Sequence, residues 1–419
     1  MQSKALAMAV AVGLGVSSFS AVAATSDSTT KHHHRHHRVA AAVPATNVVA
    51  YDPAAEMAQR DQEIAELKQA LASVQERHGK IEQRTDAQSD IHVPTQQNVE
   101  KLQPDGAKVD QIAKQVNDNT VTGKAYIDIT GVSQQSHGVK TNASGIGLDV
   151  KRFYLSVTHQ FDDIWSANLT TDFNYSSTLG QTSLFVKKAY VQGKFNQAAV
   201  LRIGSADMPW IPFVENYYGY RYVENTLTDR LKYANSADWG INMSGDLGQN
   251  KNLNYSVSAV NGNGYKNPSR SGSVDFEGRV GFVPFKGMVV AVGGYTGDRG
   301  QDLQNVNTIH TAQRFDVLAA YAGPGFRAGG EYFSAKSWNN VLTPLADKAD
   351  GYSFWGSVNL PAKFSLFARY DHASLSKDIN PSAKDEYYNA GVQYDFNKGF
   401  QLALVYKHEK GAVSGTAPR

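Results

Sequence analysis

The feature that most constrains this chain is a period-two alternation of side chains that recurs through its last three hundred residues. Within residues 151–158, Phe153, Leu155 and Val157 alternate with Arg152 and with hydroxyl-bearing residues. A strand buried on both faces would not have a charge on one of them. In a transmembrane barrel, however, the lipid-facing side is apolar and the lumen side can be wet. The pattern predicts an all-β fold, namely an antiparallel transmembrane β-barrel.

The number of such segments predicts the size of the barrel. Fifteen alternating segments are separated by Gly, Asn, Asp and Ser, and they lie near 122–132, 149–161, 164–175, 184–195, 199–206, 229–245, 253–260, 273–283, 287–297, 312–322, 325–336, 351–360, 363–373, 386–396 and 399–409. Single-chain bacterial barrels have even strand numbers, so about 16 strands are expected. We expect the missing strand beyond Arg419 in a longer gene product. The alternative is a hidden strand in the aromatic stretch 217–222.

The composition excludes other membrane and redox classes. The mean hydropathy is −0.41, and no apolar run of the length that a spanning helix needs is present. The 36 glycines and 21 tyrosines suit a protein with many tight turns and aromatic girdles. Because the chain has no cysteine, disulfides and thiolate metal sites are excluded.

The first 24 residues predict a signal peptide. Lys4 precedes an apolar core from Ala5 to Val16, and the small residues at 21–24 offer cleavage after Ala23 or Ala24. A first helix of a soluble domain and a membrane anchor are weaker alternatives, since the core has no polar face and is too short to span. The protein is therefore expected to be exported.

Residues 25–55 form a predicted linker that contains a basic, histidine-rich tract. His-rich tracts can bind divalent metals, so the candidate ligands are His32, His33, His34, His36 and His37. A solvated spacer and an attachment to polyanions remain the alternatives. No cofactor is predicted.

Residues 56–86 predict a coiled-coil helix. The heptad a and d positions are Met57, Ile64, Leu67, Leu71, Val74 and Ile81, with Arg60 and His78 as polar members of the seam. The alternative is a single amphipathic helix. A further linker at 87–120 leads to the barrel at 121–419. Because the signal peptide precedes it, the N-terminal region is expected in the periplasm, where the coil could gather three chains.

An ordered series of short motifs supports a family resemblance over roughly residues 120–410. The series is Lys151-Arg152-Phe153-Tyr154-Leu155, Trp165 to Phe173, Lys188-Ala189-Tyr190-Val191, Arg202-Ile203-Gly204, Met208-Pro209, Tyr222-Val223-Glu224, Ala237-Asp238-Trp239-Gly240, Asn261-Gly262-Asn263-Gly264 and Gly278-Arg279-Val280. In this order the chain resembles the phosphate-selective porins O and P. The resemblance implies a trimeric sixteen-stranded barrel in the bacterial outer membrane that passes anions such as phosphate through a lumen lined with Arg and Lys.

Strand parity supplies candidates for that lining. The basic residues opposite the apolar face are Lys124, Arg152, Lys188, Arg202, Arg279, Arg327 and Arg369, and they share it with Asp128, Asp172, Glu277, Glu331 and Asp371. Rings of Arg and Lys favour anions, and the carboxylates temper that preference. For each basic residue, the alternative is an ion pair that only stiffens the wall.

The segment from Gly204 to Asp229 has too many aromatic residues for an ordinary exposed loop. It is predicted to fold inward as a constriction or to form a subunit contact. The alternative is an interfacial girdle beside an ordinary hairpin.

The functional expectation is a non-enzymatic diffusion channel. No nucleophile motif, metalloprotease motif or nucleotide fingerprint is present. The expected partners are small anions or polar solutes, outer-membrane lipid and two further copies of the chain, with no nucleic acid. The competing hypothesis is a structural or adhesive protein whose barrel is only an anchor for the coil and the His-rich tract.

Overall fold

The computed structural model describes residues 2–16, 60–62, 64–81, 108–109, 112–177 and 180–412. The chain divides into two compact units, one formed by Met1–Phe19 with Asn117–Arg419 and the other by Ser20–Val116. In the second unit, helix α1 covers residues 60–62 and 64–81. Residues 108–109 and 112–118 are also helical, and the latter form α2. The predicted coil seam from Arg60 to Ile81 lies on α1, where Leu67 and Leu71 are 68% and 59% exposed, and Met57 lies outside the described residues.

The first unit is a single antiparallel sheet. Its strands are β1 (Gln2–Val16), β2 (Asn119–Ser136), β3 (Val139–Lys140), β4 (Gly145–Gln160), β5 (Trp165–Ser176), β6 (Gln181–Asn196), β7 (Ala199–Asp207), β8 (Ala237–Leu247), β9 (Leu253–Val260), β10 (Asp275–Phe282), β11 (Met288–Gly297), β12 (Ala312–Ala322), β13 (Phe326–Lys336), β14 (Lys348–Asn359), β15 (Phe364–Ser374), β16 (Lys384–Asn397) and β17 (Phe400–Ala412). Two helices, α3 (Ile211–Tyr218) and α4 (Leu227–Arg230), lie between β7 and β8. A 3₁₀ turn, Pro361–Lys363, precedes β15.

The sheet closes on itself. From β4 to β17 each strand pairs with the next, β2 pairs with β4, and β1 lies between β17 and β2. The two-residue strand β3 only extends the end of β2. Sixteen strands therefore form the wall, which confirms the predicted antiparallel barrel and its size.

All fifteen predicted strands have a counterpart, but one boundary was wrong. The segment predicted at 229–245 begins as a strand only at Ala237, because Arg230 belongs to helix α4 and binds carboxylates on the inner wall. The alternative of a hidden strand at 217–222 was also wrong, since these residues end helix α3 and continue as turns.

The sixteenth wall strand consists of N-terminal residues. Strand β1 pairs Val10 with Leu404 on one side and with Ile129 on the other. These residues are the ones that predict a signal peptide. Strand pairing does not test proteolytic processing, so the signal peptide stays a prediction, as does a strand beyond Arg419.

The two faces of the wall follow the predicted alternation. On β4, Phe153 and Leu155 point outward and are each 46% exposed. On β17, Leu404 points outward at 51% exposure, whereas Ala403 and Val405 point inward and are fully buried. The outer face is thus suited to lipid, and these two inner positions on β17 are covered by protein.

The connections differ at the two ends of the barrel. At one end, short turns such as 161–164, 197–198 and 323–325 join the strands. At the other end lie the longer connections, including 208–236, 261–274, 298–311 and 337–347. We refer to the latter as the long-connection end. Among the helices that the structure describes, none is both long and apolar enough to cross a membrane.

Candidate pore constriction

The connection between β7 and β8 turns into the barrel, and we call residues 208–236 the lumen segment. Helix α3 has proline in its first turn. Proline lacks an N–H group, but N–H groups in the first turn have no partner within the helix, so no hydrogen bond is lost. It ends at Gly219, whose φ of 80° lies in the left-handed region that glycine adopts readily. The guanidinium group of Arg327 lies 3.0 Å from the position that a Cβ atom at Gly219 would take.

Apolar packing holds the lumen segment against the wall. Trp210, Val214 and Tyr218 are at most 2% exposed. They belong to one cluster with the inward side chains of Val289, Ala291, Leu318, Ala320, Ala403 and Val405. These wall positions are small or aliphatic because they face the segment and not water. The structure thereby confirms the prediction that the aromatic stretch folds inward.

Three of the seven predicted lining residues are engaged by the lumen segment. They lie on the inner face, as parity predicted, and their guanidinium groups donate to its main-chain carbonyls. The bonds run from Arg279 Nε to Pro209 (3.0 Å), from Arg327 Nη1 to Asn216 (3.0 Å) and from Arg369 Nη1 to Asn225. Arg369 also holds Asp371 with two bonds of 2.7 Å. The main role of these three arginines is therefore to fasten the segment.

Inner-wall carboxylates satisfy the main-chain N–H groups of the same segment. Glu277 accepts from the N–H of Trp210 at 2.9 Å, and Glu331 accepts from the N–H of Leu227 at 2.7 Å. A helix start needs acceptors for its free N–H groups, and α4 finds one on the wall. The parity analysis placed both carboxylates on the inner face, but it could not show what they bind.

A fourth arginine that binds the lumen segment was not predicted from the sequence. Arg314 on β12 donates to the carbonyl of Tyr233 at 2.6 Å and pairs with Glu277 at 2.9 Å and with Asp316 at 2.8 Å. The signal was present, because Arg314, Asp316 and Leu318 alternate along the inward face of β12.

Two lysines clamp the middle of the lumen segment. Lys407 Nζ donates to the carbonyl of Val223 at 2.6 Å and to Glu224 at 3.1 Å. Lys151 also donates to Val223 and lies 3.3 Å from Asp128. Burial acts to raise the pKa of Glu224, but the two lysines outweigh it and hold that pKa well below its usual value. Glu224 is therefore ionised in the folded barrel.

Helix α4 contributes a basic centre of its own. Arg230 pairs with Asp371 at 3.1 Å, with Glu409 at 2.9 Å and with Asp385, and it stacks 4.5 Å from the ring centre of Tyr387. Burial acts to lower the pKa of Arg230, yet the carboxylates raise it above its usual value. The segment is thus tied to β15, β16 and β17 through one side chain.

On the side facing β4 to β6, charged side chains of the wall and of the lumen segment lie near one another. We call the group of charged residues there the constriction rim; its members are Arg152, Lys187, Arg221, Lys266, Asp172, Glu215 and Asp229. Arg152 lies 3.7 Å from Asp172, which also accepts from the hydroxyl of Tyr265 at 2.5 Å. With four basic and three acidic members, the rim has a small positive excess.

Arg221 presents the charge of the lumen segment to the rim. It pairs with Glu215 at 2.6 Å and with Asp229 at 3.5 Å. Burial acts to lower its pKa, but these carboxylates raise the pKa above the usual value for arginine. Arg221 therefore stays charged and is anchored on the segment itself.

A β-bulge places two consecutive lysines on the inner face of β6. Thr170 pairs with Lys188 and Thr171 pairs with Val186, so Lys187 is the extra residue of β6. An extra residue in one strand re-aims the neighbouring side chains. Lys187 lies 4.6 Å from the ring centre of Tyr154, whereas Lys188 is paired with Asp207 at 2.5 Å. The predicted lining residue Lys188 is thus neutralised, and its unpredicted neighbour belongs to the rim.

Lys266, in the connection between β9 and β10, completes the rim. Its ammonium group lies 4.9 Å from the ring centre of Phe185. Burial lowers the pKa of Lys266 to about 8, with Arg152 as the next cause. The alternation within the strands could not predict Lys266, because this residue lies in a connection between strands.

The remaining predicted lining residues lie on the inner face but away from the rim. Arg202 donates to Gln192 at 2.8 Å and to Ser244 at 3.4 Å. Lys124 is exposed and lies directly opposite Tyr154 in the sheet register. Of the seven predicted residues, Arg152 alone is a member of the rim.

The described residues hold no cluster of three or more His, Cys, Asp or Glu side chains arranged for a metal. The candidate ligands His32, His33, His34, His36 and His37 lie outside the described residues, and metal binding by them stays a prediction.

Comparison with known proteins adds only distant likenesses. No family model and no curated protein matches the chain. An anion-selective porin from Comamonas acidovorans shares 12% identity at a TM-score of 0.45, over 71% of this chain and 97% of the porin. Salmonella typhi OmpF shares 12% at 0.47, over 70% and 98%. The outer membrane channel DcaP of Acinetobacter baumannii shares 11% at 0.42, over 64% and 87%. At these TM-scores the strand pairing of the chain itself remains the basis for its fold.

Proposed function

We propose that this protein is an outer-membrane porin for passive diffusion of small anionic or polar solutes. The observation that supports it best is a closed sixteen-stranded wall, apolar outside, with a segment folded inside it that leaves a charged rim beside β4 to β6. Only a closed barrel satisfies all backbone groups of a sheet within lipid. Phosphate is the specific anion to test first, because of the family resemblance.

The proposal is tested by conductance in planar bilayers. Purified protein should form ion-conducting pores with a weak anion preference, because the rim has only a small positive excess. A folded barrel that conducts no ions would favour the alternative function, in which the barrel anchors a working coil. Addition of phosphate to a chloride solution tests for a phosphate site through a concentration-dependent drop in chloride current.

We propose a trimer with its N-terminal region in the periplasm. The apolar seam of α1 is exposed in the single chain, as a seam awaiting partner helices would be. Leu67→Pro should weaken association, because proline removes a helix hydrogen bond and clashes with the preceding turn. Crosslinking should show fewer trimers than for wild type while conductance is kept. An unchanged trimer would leave the subunit contacts to the barrel wall.

We also propose that residues 1–24 direct export. The same residues supply β1, so sequencing the N-terminus of protein from outer membranes separates the two roles. Cleavage after Ala23 or Ala24 would mean that another strand closes the mature wall. An intact N-terminus would keep β1 in place.

A further inference from the structure

A depression lies on the outer face of the wall between β9 and β13. It has a volume of about 710 Å³, within the range of small-molecule clefts, roughly 300–1,000 Å³. Gly278 and Gly294, which lie directly opposite each other on β10 and β11, form its floor. The rims are the outward side chains of Val257, Phe276 and Phe315, which are 47%, 55% and 52% exposed.

The packing of the wall does not require glycine at these two positions. A Cβ atom on Gly278 would meet only Val257 Cγ1 at 3.7 Å, and one on Gly294 would meet only the carbonyl oxygen of Arg314 at 3.4 Å. Both distances are ordinary van der Waals contacts. Neither glycine has the positive φ that favours its use. Because glycine has no side chain, Gly278 and Gly294 leave the outer face recessed and so create the depression.

Basic side chains border the depression toward the long-connection end. Lys336 and Lys348 lie directly opposite each other on β13 and β14, and Gln313 lies opposite Lys336 on the other side. Phe315 lies two residues along β12 from Gln313 on the same outward face, and it pairs with Gly294 of the floor. With a rise of about 3.4 Å per residue, the lysines stand roughly 7 Å from the level of the glycine floor.

The lysine pair has little compensating charge. Like charges directly opposite each other in a sheet are destabilising. Lys348 is 62% exposed and reaches Asp378 only at 4.0 Å. Asp350, two residues along β14 from Lys348, is held by Lys377 at 2.5 Å. No acidic side chain within the described residues forms an ion pair with Lys336. The pair is therefore poised for an external anion.

We propose that this depression binds a phosphate-bearing lipid of the outer leaflet, with an acyl chain over Gly278 and Gly294 and its phosphate between Lys336 and Lys348. The proposal rests on the membrane location in the proposed function. Long connections of bacterial barrels face the cell exterior, so the lysines lie at the level of outer-leaflet headgroups. The lysine pair adjoins the apolar depression, just as the phosphate of a lipid headgroup adjoins its acyl chain.

Native mass spectrometry of the full-length protein in detergent, titrated with purified bacterial lipid A, tests the phosphate contact. Lys336→Gln and Lys348→Gln should each weaken binding about fivefold, the loss that corresponds to about 1 kcal/mol per lysine near an anionic lipid surface. Lys286→Gln is the matched control, since it is an exposed lysine in the turn at the opposite end of β10. Its affinity should equal that of wild type.

A second variant tests the groove without changing charge. Gly278→Val fills the floor with a residue that suits strands, and it should weaken binding of lipid A and of its dephosphorylated form alike. The lysine variants should instead affect only the phosphorylated lipid. Conductance of each variant verifies that the barrel is folded and tests the channel function separately.

Three outcomes would overturn the proposal. They are equal lipid affinity in the lysine variants and the Lys286 control, unchanged affinity in Gly278→Val, and a loss of trimers in Gly278→Val with lipid binding retained. The last would identify a second copy of the chain as the occupant. Lipid binding by a barrel that does not conduct would support the lipid site and contradict only the proposed channel.

Discussion

Basic side chains along β10 to β17 and those along β4 to β6 share the inner face of one wall, yet they end on different partners. On β10 to β17, Arg279, Arg314 and Arg369 donate to main-chain carbonyls of the lumen segment. On β4 to β6, Lys151 also donates to the carbonyl of Val223, but Arg152 and Lys187 lie beside a carboxylate or an aromatic ring and belong to the constriction rim. The side chains of both groups point inward. An inward position therefore specifies a lumen side chain, but the partners of that side chain decide whether it holds the lumen segment or acts on passing ions.

The largest effect is expected on the fastened side. Arg369→Ala removes one of the two arginines that hold Asp371, leaving Arg230 at 3.1 Å, and it removes the bond to Asn225. Both side chains of the broken pair are at most 1% exposed. Because Arg230 still compensates Asp371, the loss is expected at the lower end of the roughly 3–5 kcal/mol that breaking a buried pair costs. Chemical denaturation should show that loss.

Lys124→Ala is the control for this variant, since Lys124 is an exposed predicted lining residue. Its unfolding free energy should stay within about 0.5 kcal/mol of wild type. Equal stability of the two variants would remove the distinction between fastening and lining residues.

The second prediction compares neighbours across the bulge of β6. Lys187→Gln should lower the anion preference, by up to about fivefold in permeability ratio for a contribution of about 1 kcal/mol from one charge. Lys188→Gln should change it less, because Asp207 already neutralises that lysine. Reversal potentials in a salt gradient measure both. A larger effect at Lys188 would mean that the rim lies elsewhere on the inner wall.

A smaller effect is expected from pH. The pKa of Lys266 is lowered to about 8, so this lysine is a cation below that pH and becomes neutral as pH rises through it. The anion preference should therefore fall between about pH 7 and pH 9. The charged groups that act on its pKa are Arg152, Asp172, Lys232 and Asp229.

Lys266→Arg should remove this pH step, because arginine stays charged across the range. Reversal potentials measured from pH 6 to pH 10 test the prediction. A step that persists unchanged in the arginine variant would assign the titration to another group.

The strands could be predicted from sequence because the lipid requirement is local. Each outward position must be apolar whatever the rest of the chain does, so residues such as Leu155 and Leu404 mark their strands by themselves. The lumen segment was predicted to fold inward for a similar reason, since Trp210 and Tyr218 would be poorly solvated outside.

The site could be predicted only in part because its contacts are distant in sequence. Arg369 and Asn225 are 144 residues apart, and no local pattern reveals that their groups meet. Arg230 was assigned to a strand because helix α4 has only four residues, too few for a helical period. The bulge at Lys187 changes the parity of one strand, and a single extra residue leaves no mark in the composition.

The central proposal is a conducting pore whose charged rim lies between the lumen segment and β4 to β6. The most direct test is the reversal potential of purified wild-type protein in a planar bilayer under a tenfold salt gradient. We predict measurable conductance with a weak anion preference that Lys187→Gln reduces. Absence of conductance by a folded barrel, or a clear cation preference in the wild type, would contradict it.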